Sequence, residues 1–365
     1  MTIEFSSSSI NKLANDQEEK INLSNFLMLF VYKKTKSTAL IKVIFFLAIL
    51  RQGDSLYRYA NYYLTSGNLD SNVILVLASL EHIYSFICIL VVCKWDLIVE
   101  FVEIWSKTDL QDDSETRNYI NRKRRKFRIV FILFCTSSAS ITALLNFDFN
   151  RFTYISSIKM FYVFVDNLIQ LMLISMIIDF LSLLSIHIQA VFIAVDRKLG
   201  QLPNEVGALC EKLRSIRRLH YYGRELTRLV DLFIFYLIIG IYCIIVPVIL
   251  LGLYRLIYES DTILDRFTSL GVLVIGISAT VIVTFSAVEI NNLASKCFDK
   301  VYELSFVNGC PGYYKEVSLM MYRMGRYDIG ISFANLFIIS SSFVTSLATL
   351  CVTFILAFPS TFKTQ

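Results

Sequence analysis

GISFANLFIISSSFVTSLATLCVTFILAF, residues Gly330 to Phe358, contains no charged residue. An α-helix rises 1.5 Å per residue and the hydrocarbon core of a bilayer is about 30 Å thick, so roughly 17–25 apolar helical residues suffice to cross it. This stretch is long enough. Six others are too, once their tapering ends are counted: Thr38 to Tyr57, Ser71 to Cys93, Ile129 to Asp148, Met160 to Leu184, Asp231 to Leu253 and Thr268 to Val288. The first is the least apolar, with a core of only Ala39 to Leu50 interrupted by Lys42, whose long side chain can snorkel its ammonium back to water. Together they predict an all-α membrane protein with seven transmembrane helices.

Composition agrees. Hydrophobic residues make up 55% of the 365, against 18% charged, a ratio foreign to soluble domains. Orientation follows from the basic residues. The segments up to residue 37, Lys94–Arg128, Arg197–Arg228 and Lys296–Arg326 hold 27 of the 35 Lys and Arg. The alternate connectors hold only Arg51, Arg58, Arg151, Lys159, Arg255, Arg266 and Lys363, and Lys42 lies within the first span. The basic excess marks the cytoplasmic side, which predicts an N-terminus inside and a C-terminus outside. The run Arg122-Lys123-Arg124-Arg125-Lys126 then stops a helix at the acidic inner leaflet, a contact with membrane lipid and not with nucleic acid.

Three segments result: a cytoplasmic N-terminal piece (1–37), a seven-helix domain (38–358) and an extracellular tail (359–365). The first shows no secretory signal, and Asn25 to Tyr32 is apolar for about two turns only, the pattern of a short helix lying at the inner interface. Outer loops are short, whereas the inner connectors are long and carry helical patterns. Between spans four and five, Val206, Leu209, Leu213, Ile216, Leu219, Leu226 and Val230 recur at helical spacing, with Lys212, Arg214, Arg217, Arg218, Arg224 and Arg228 on other faces. Such a helix can extend the spans below the membrane or lie flat on lipid. Asn308-Gly309-Cys310-Pro311-Gly312 is a turn that breaks the next inner connector.

Enzymatic chemistry has no foothold: there is no GxSxG, HExxH or P-loop pattern and no paired carboxylates at a useful spacing. The eight cysteines lie in spans or inner loops and imply no structural disulfide. They form no CxxC, and His82, His187 and His220 are scattered, so neither a metal nor a cofactor is expected. Transporters usually break helices with Gly or Pro in matching halves, and Pro247 has no counterpart. With its N-terminus inside, the chain also reverses the topology of G-protein-coupled receptors.

In the last span, steps of three and four pick out Ser332, Asn335, Ile339, Ser342, Ser346, Thr349 and Thr353. Every position but one is small and polar. Two readings are open: close helix packing, since Ser and Thr let membrane helices approach, or a water-filled pathway lined by several copies of the helix.

The whole chain resembles the insect gustatory receptor family: seven spans, N-terminus inside, long helical inner loops and a short tail. That family's final helix carries Thr-Tyr, five apolar residues, then Gln-Phe; here Ser346-Leu347 is followed by Ala348 to Val352 and then Thr353-Phe354. Leu347 and Thr353 depart from the pattern. The resemblance implies a tetrameric, ligand-gated cation channel, homomeric or built with related subunits. In it the final helix lines a central pore, and cytoplasmic parts of the later helices hold subunits together. It implies that Phe354 stands at a hydrophobic gate beside Thr353, with Ser342, Ser346 and Thr349 along the pathway. It further implies a small-molecule tastant, permeant cations and the plasma membrane of a sensory-neuron dendrite.

Intramembrane polar groups are the candidate ligand contacts, because an acid there costs about 2.5–3.5 kcal/mol on insertion scales. Asp166 clusters with Asn167 and Gln170 near the outer end of span four. Glu81 and His82 sit near the middle of span two, where a structural role competes. Asp179, close to the inner end of span four, reads as interfacial. The reading is a gustatory receptor subunit, a ligand-gated cation channel, and not an enzyme. The alternatives are an odorant receptor subunit, or a non-conducting scaffold or transporter-like protein that uses the polar stripe only for packing.

Overall fold

Trp95–Ser106 forms α1 because Ile98, Phe101 and Trp105 recur on one face and are buried there. The chain then turns through Asp109, whose φ of 55° is left-handed, into α2, residues 114–127. Asp113 caps α2, its carboxylate accepting the Glu115 N–H and the Thr116 hydroxyl. The computed structural model describes Tyr57 and residues 95–127, 129, 154–202, 206–258, 263–307, 310–326 and 328–362. Contacts divide the chain into two compact units, Met1–Asn68 and Leu69–Gln365. Tyr57 is helical in the first, and all else that follows belongs to the second. The predicted segment 1–37, the span Ser71 to Cys93, the spans at 38–57 and 129–148 apart from Tyr57 and Ile129, and the outermost tail residues lie outside the described residues.

α3 runs from Tyr154 to Gly200 and α4 from Val206 to Gly240. At 47 residues α3 is about 70 Å long, more than twice a bilayer's hydrocarbon core. The predicted span Met160 to Leu184 therefore continues as helix well beyond its end. α4 returns antiparallel along α3: the Phe192 and His220 rings meet at 5.6 Å, and Phe180 meets Phe233 at 5.8 Å. Gly223 makes this approach possible, because a Cβ there would lie 3.0 Å from the Phe192 ring and 3.1 Å from Val191 Cγ1. Leu209, Leu213, Ile216, Leu219, Leu226 and Val230 are all buried. The apolar stripe of α4 thus packs on protein, which decides between the two readings of that connector in favour of a helix extending a span.

α4 passes into a π-helical turn, Ile241–Ile245, and then α5, Val246–Tyr258. The cause is Pro247, which has no N–H to donate and whose ring crowds the carbonyl one turn back. The ladder widens just ahead of it, with the Val246 N–H bonding to Ile241 O. α6, Ile263–Leu304, packs on α3 and α5. α7, Pro311–Met324, follows the predicted turn, with Cys310 at its N-cap and Pro311 at its first position, where the missing N–H is harmless. α4, α5 and α6 thus carry the predicted spans Asp231 to Leu253 and Thr268 to Val288.

The final span differs from its prediction. Residues 330–340 are not helical: Ser332–Phe333 (β1) and Phe337–Ile338 (β2) pair antiparallel, Ser332 opposite Ile338 and Phe333 opposite Phe337. The helix, α8, begins only at Ser341 and continues to Phe362, through residues assigned to the tail. Among the described residues the protein is helical apart from this hairpin. By length and composition α3, α4 with α5, and α6 can cross a membrane, and Ser341–Ala357 is a shorter apolar helix.

Charge pairs lock the helices where they extend past the apolar spans. Arg197 on α3 binds Asp113 and Glu115 at the start of α2. Burial alone would raise the Asp113 pKa, but Thr116 and Arg197 outweigh it and hold the carboxyl below its usual range. Lys123 on α2 pairs with Glu289 on α6 at 2.6 Å, and Lys300 on α6 with Asp196 on α3 at 2.6 Å. Glu316 on α7 is buried against α4, where Arg217 reaches it at 2.7 Å and Arg214 at 3.3 Å. Its burial favours the neutral acid, yet the two guanidiniums hold its pKa below the usual carboxylate range.

Because that pKa is lower in the folded protein, the pair stabilises fully above the unfolded value of about 4.3 and is lost as pH falls below it. Thermal unfolding of the purified protein should show an acid-sensitive component in that window, absent from Glu316→Gln. Glu316→Ala should lower stability by about 1–3 kcal/mol at neutral pH by leaving its hydrogen-bonding partners unmatched.

Candidate functional site: the final helix and its mounting

The mounting of α8 begins at Asp231, on α4 where its apolar run starts. The Asp231 carboxylate accepts the Ser332 backbone N–H at 2.7 Å and the Ser332 hydroxyl at 2.9 Å. From α6, the Asn291 side-chain amide donates to Ile329 O at 2.9 Å. These bonds serve backbone groups that no helix satisfies, so they hold 329–332 extended. The hairpin turn is closed by the Leu336 N–H to Phe333 O at 2.9 Å, with left-handed φ of 52° at Ala334 and 58° at Asn335. Two positive φ values with this bond are the type I′ geometry that suits a hairpin.

An aromatic cluster seats the hairpin on the π-helical turn. Tyr242 meets Phe333 at 5.7 Å and Phe343 of α8 at 5.2 Å, both edge to face, while Phe337 lies 5.3 Å from Phe333 and 5.1 Å from Phe343. The Tyr242 hydroxyl bonds to Thr284 of α6 at 2.7 Å. Ile331 and Ile339 are buried, and the Ile339 N–H bonds Ile331 O at 2.9 Å. Gly330 is fixed sterically, since a Cβ there would lie 2.4 Å from Ile338 Cγ2. One turn, one hairpin and two helices, α4 and α6, therefore converge on the root of α8.

The predicted polar seam is corrected accordingly. Ser332, Asn335 and Ile339 belong to the hairpin, with Ser332 held by Asp231 and Asn335 in the turn, so the helical seam shortens to Ser342, Ser346, Thr349 and Thr353. All four are exposed. Three donate to the carbonyl four residues back: Ser346 to Ser342 O at 3.0 Å, Thr349 to Thr345 O and Thr353 to Thr349 O both at 2.9 Å. Ser342 shares a 2.8 Å hydroxyl contact with Ser340. With the proton of a hydroxyl turned to the backbone, the oxygen's remaining lone pair faces outward as an acceptor. Ser346, Thr349 and Thr353 thus present a row of oxygens suited to water or a cation.

Phe343, Leu347, Cys351 and Ile355, four residues apart, form the half-buried stripe of α8; within the described residues α8 packs on α5. Its other faces are open: Leu350 is 66% exposed, Leu356 74% and the predicted gate residue Phe354 42%. Apolar side chains so displayed call for lipid or further protein.

The remaining predicted residues lie away from α8 in the sequence. Asp166, Asn167 and Gln170 lie on one stretch of α3, N-terminal to its buried section. Glu81 and His82 lie outside the described residues. His187 and His220 are buried; His187 Nδ1 meets Leu183 O at 2.8 Å and its ring packs edge-on against Trp105 at 4.8 Å. Among the described residues no cluster of three or more His, Cys, Asp or Glu could hold a metal. Sequence reasoning missed Asp231, Tyr242, Asn291 and Gly330. The available signal was the alternation Ile331, Phe333, then Phe337, Ile339 around Ala-Asn, a hairpin pattern.

Gly330→Ala should force Ile338 aside and cost about 1–3 kcal/mol, as overpacking does. Asp231→Ala should cost a similar amount by stranding the Ser332 donors, whereas Asp231→Asn keeps an acceptor and should cost less. Thermal unfolding, with limited proteolysis between Met324 and Ser341 to locate the change, checks all three.

The sequence matches no protein-family model and no curated protein. Solved structures do match. The insect olfactory receptor OR5 from Machilis hrabei superposes with a TM-score of 0.63 at 11% identity, over 96% of this chain and 97% of that one. OR5 in complex with eugenol superposes with a TM-score of 0.64 at 10% identity, over 97% and 98%. Across nearly its whole length, this chain has the fold of an insect olfactory receptor.

Proposed function

We propose that this chain is one subunit of a ligand-gated, cation-conducting chemoreceptor, with α8 of each subunit lining a shared pore. The observation that carries the reading is the outward row of acceptor oxygens at Ser346, Thr349 and Thr353, on a helix that the rest of the described chain leaves largely uncovered. Carbonyl or hydroxyl oxygens facing a pathway replace part of an ion's hydration shell. Several copies of α8, four in the family that the sequence resembles, would set these rows face to face. Phe354, one residue beyond Thr353, would close the path by dewetting.

Asp166, Asn167 and Gln170 on α3, with Glu81 and His82, are the proposed contacts for a small organic ligand. The basic excess supports a cytoplasmic position for the charge-locked ends of α3, α4, α6 and α7 and an outer one for the end of α8, and the family resemblance supports the plasma membrane of a sensory neuron. The tail pattern Ser346 to Phe354 supports a taste receptor. The fold shared with OR5, which binds eugenol in its complex, supports an odorant receptor.

Whole-cell recording with surface expression matched tests the pore. Phe354→Ala should leak cations without ligand, and Thr353→Val should reduce evoked current severalfold. A silent baseline in the first and normal currents in the second would return α8 to a packing role.

Asp166→Ala should shift the ligand dose-response by about tenfold, the effect of losing one charged contact worth roughly 1.4 kcal/mol. An unchanged curve at equal surface level would remove Asp166 from the ligand site.

A further inference from the structure

Two thiols lie near one another where α4 and α7 join. Cys210 lies on the first turns of α4 and Cys310 is the N-cap of α7, about a hundred residues later in the chain. A Cβ placed on Gly312 would sit 3.5 Å from Cys210 Sγ and 3.9 Å from Cys310 Sγ. The sulfurs are therefore separated by no more than those two distances together. Both are free thiols, Cys210 half-buried and Cys310 exposed. Gly312 carries no side chain, so the point within reach of both sulfurs holds no Cβ.

The juxtaposition is held by contacts that do not involve sulfur. One to two helical turns further along each helix, Glu316 of α7 binds Arg214 and Arg217 of α4. Tyr313, next to Gly312, is fully buried, with its hydroxyl donating to Leu304 O at 2.5 Å. The remaining described cysteines are placed differently. Cys297 is buried against the Phe192 backbone, whereas Cys243 and Cys351 lie on the π-helical turn and on α8.

We propose that Cys210 and Cys310 form a reversible disulfide that staples α4 to α7 under oxidising conditions. With a peroxide as oxidant, the exposed Cys310 thiolate attacks one oxygen, breaking the O–O bond to give a sulfenic acid and hydroxide, which takes up a proton to become water. The Cys210 thiolate then attacks the Cys310 sulfur, forming the S–S bond and expelling hydroxide, which becomes a second water. The two thiols lose two electrons in all, and the peroxide gains them. A thiol reductant reverses the step. In the orientation proposed above the pair faces the cytosol, whose thiol pool keeps it reduced at rest. Closure needs the sulfurs to approach to about 2.05 Å, and Cys310, outside the helix and exposed, supplies the movement.

The test uses the full-length protein, treated with hydrogen peroxide, alkylated and digested for mass spectrometry. The expected result is a Cys210–Cys310 linked peptide, loss of alkylation at both sites, and recovery of both after dithiothreitol. Gly312→Ala places a methyl group at ordinary contact distance from both sulfurs, so it should fold and cut the linked yield about tenfold. Cys210→Ser should trap Cys310 as a sulfenic acid that dimedone labels. The proposal is overturned if oxidised wild type carries a sulfinic acid or glutathione on Cys310 while Cys210 stays alkylatable, or if Gly312→Ala links as readily as wild type. The readout is covalent, so it stands whether or not the protein conducts.

Discussion

A carboxylate at the edge of an apolar helix has to find donors or give up its charge, and Asp231 finds them in Ser332, a residue a hundred positions away in sequence. That one capture shapes the last tenth of the chain. It takes the Ser332 N–H out of contention for helix formation and leaves the segment extended. The hairpin follows, and α8 starts where the hairpin ends. Tyr242 then ties the same hairpin to α6 through Thr284, so the root of α8 reports on α4, on the π-helical turn and on α6 together.

Polar chemistry is divided between two regions with different physics. Near α8, single hydrogen bonds and aromatic edges do the fastening, as expected where water is scarce and each polar group needs a dedicated partner. Where the helices run past the apolar spans, ion pairs take over: Arg197 with Asp113 and Glu115, Lys300 with Asp196, Lys123 with Glu289, Glu316 with two arginines. Most of these pairs are partly exposed, so each adds modestly to stability. Their larger effect is on register, since they fix which turns of neighbouring helices face one another.

How much was legible in the sequence depended on the range of the interaction. The spans carried by α4, α5 and α6 were plain, because hydrophobic runs and 3.6-residue periodicity are local properties. The stripe Leu209 to Val230 was visible too, but whether lipid or protein covered it could be decided only by the arrival of α3 and α7. The hairpin was missed for a specific reason. Ser332, Asn335 and Ile339 continue a seam spaced by threes and fours, and the same residues also suit a turn and two short strands. The choice is made by Asp231 and Asn291, which are distant in sequence. Of the candidate site, Ser342, Ser346, Thr349 and Thr353 were legible as a face, while the direction of their hydroxyl protons required the backbone.

The π-helical turn at Ile241–Ile245 has an implication for how this chain can vary. A π-helical turn is one extra residue accommodated within a helix, and each residue in an α-helix advances the side chains by about 100°. Loss of one residue from this segment would be absorbed by reverting to ordinary helix, with no break in the chain. A turn closed over five residues would become one closed over four and cover nearly the same angle, so the residues beyond it would keep their faces and Ile249 would stay against Gly276 of α6. The same loss from an ordinary helical stretch would turn everything beyond it by about 100°. The π-helical turn is therefore a place where relatives can differ by one residue in length while α5 presents the same face to the final helix.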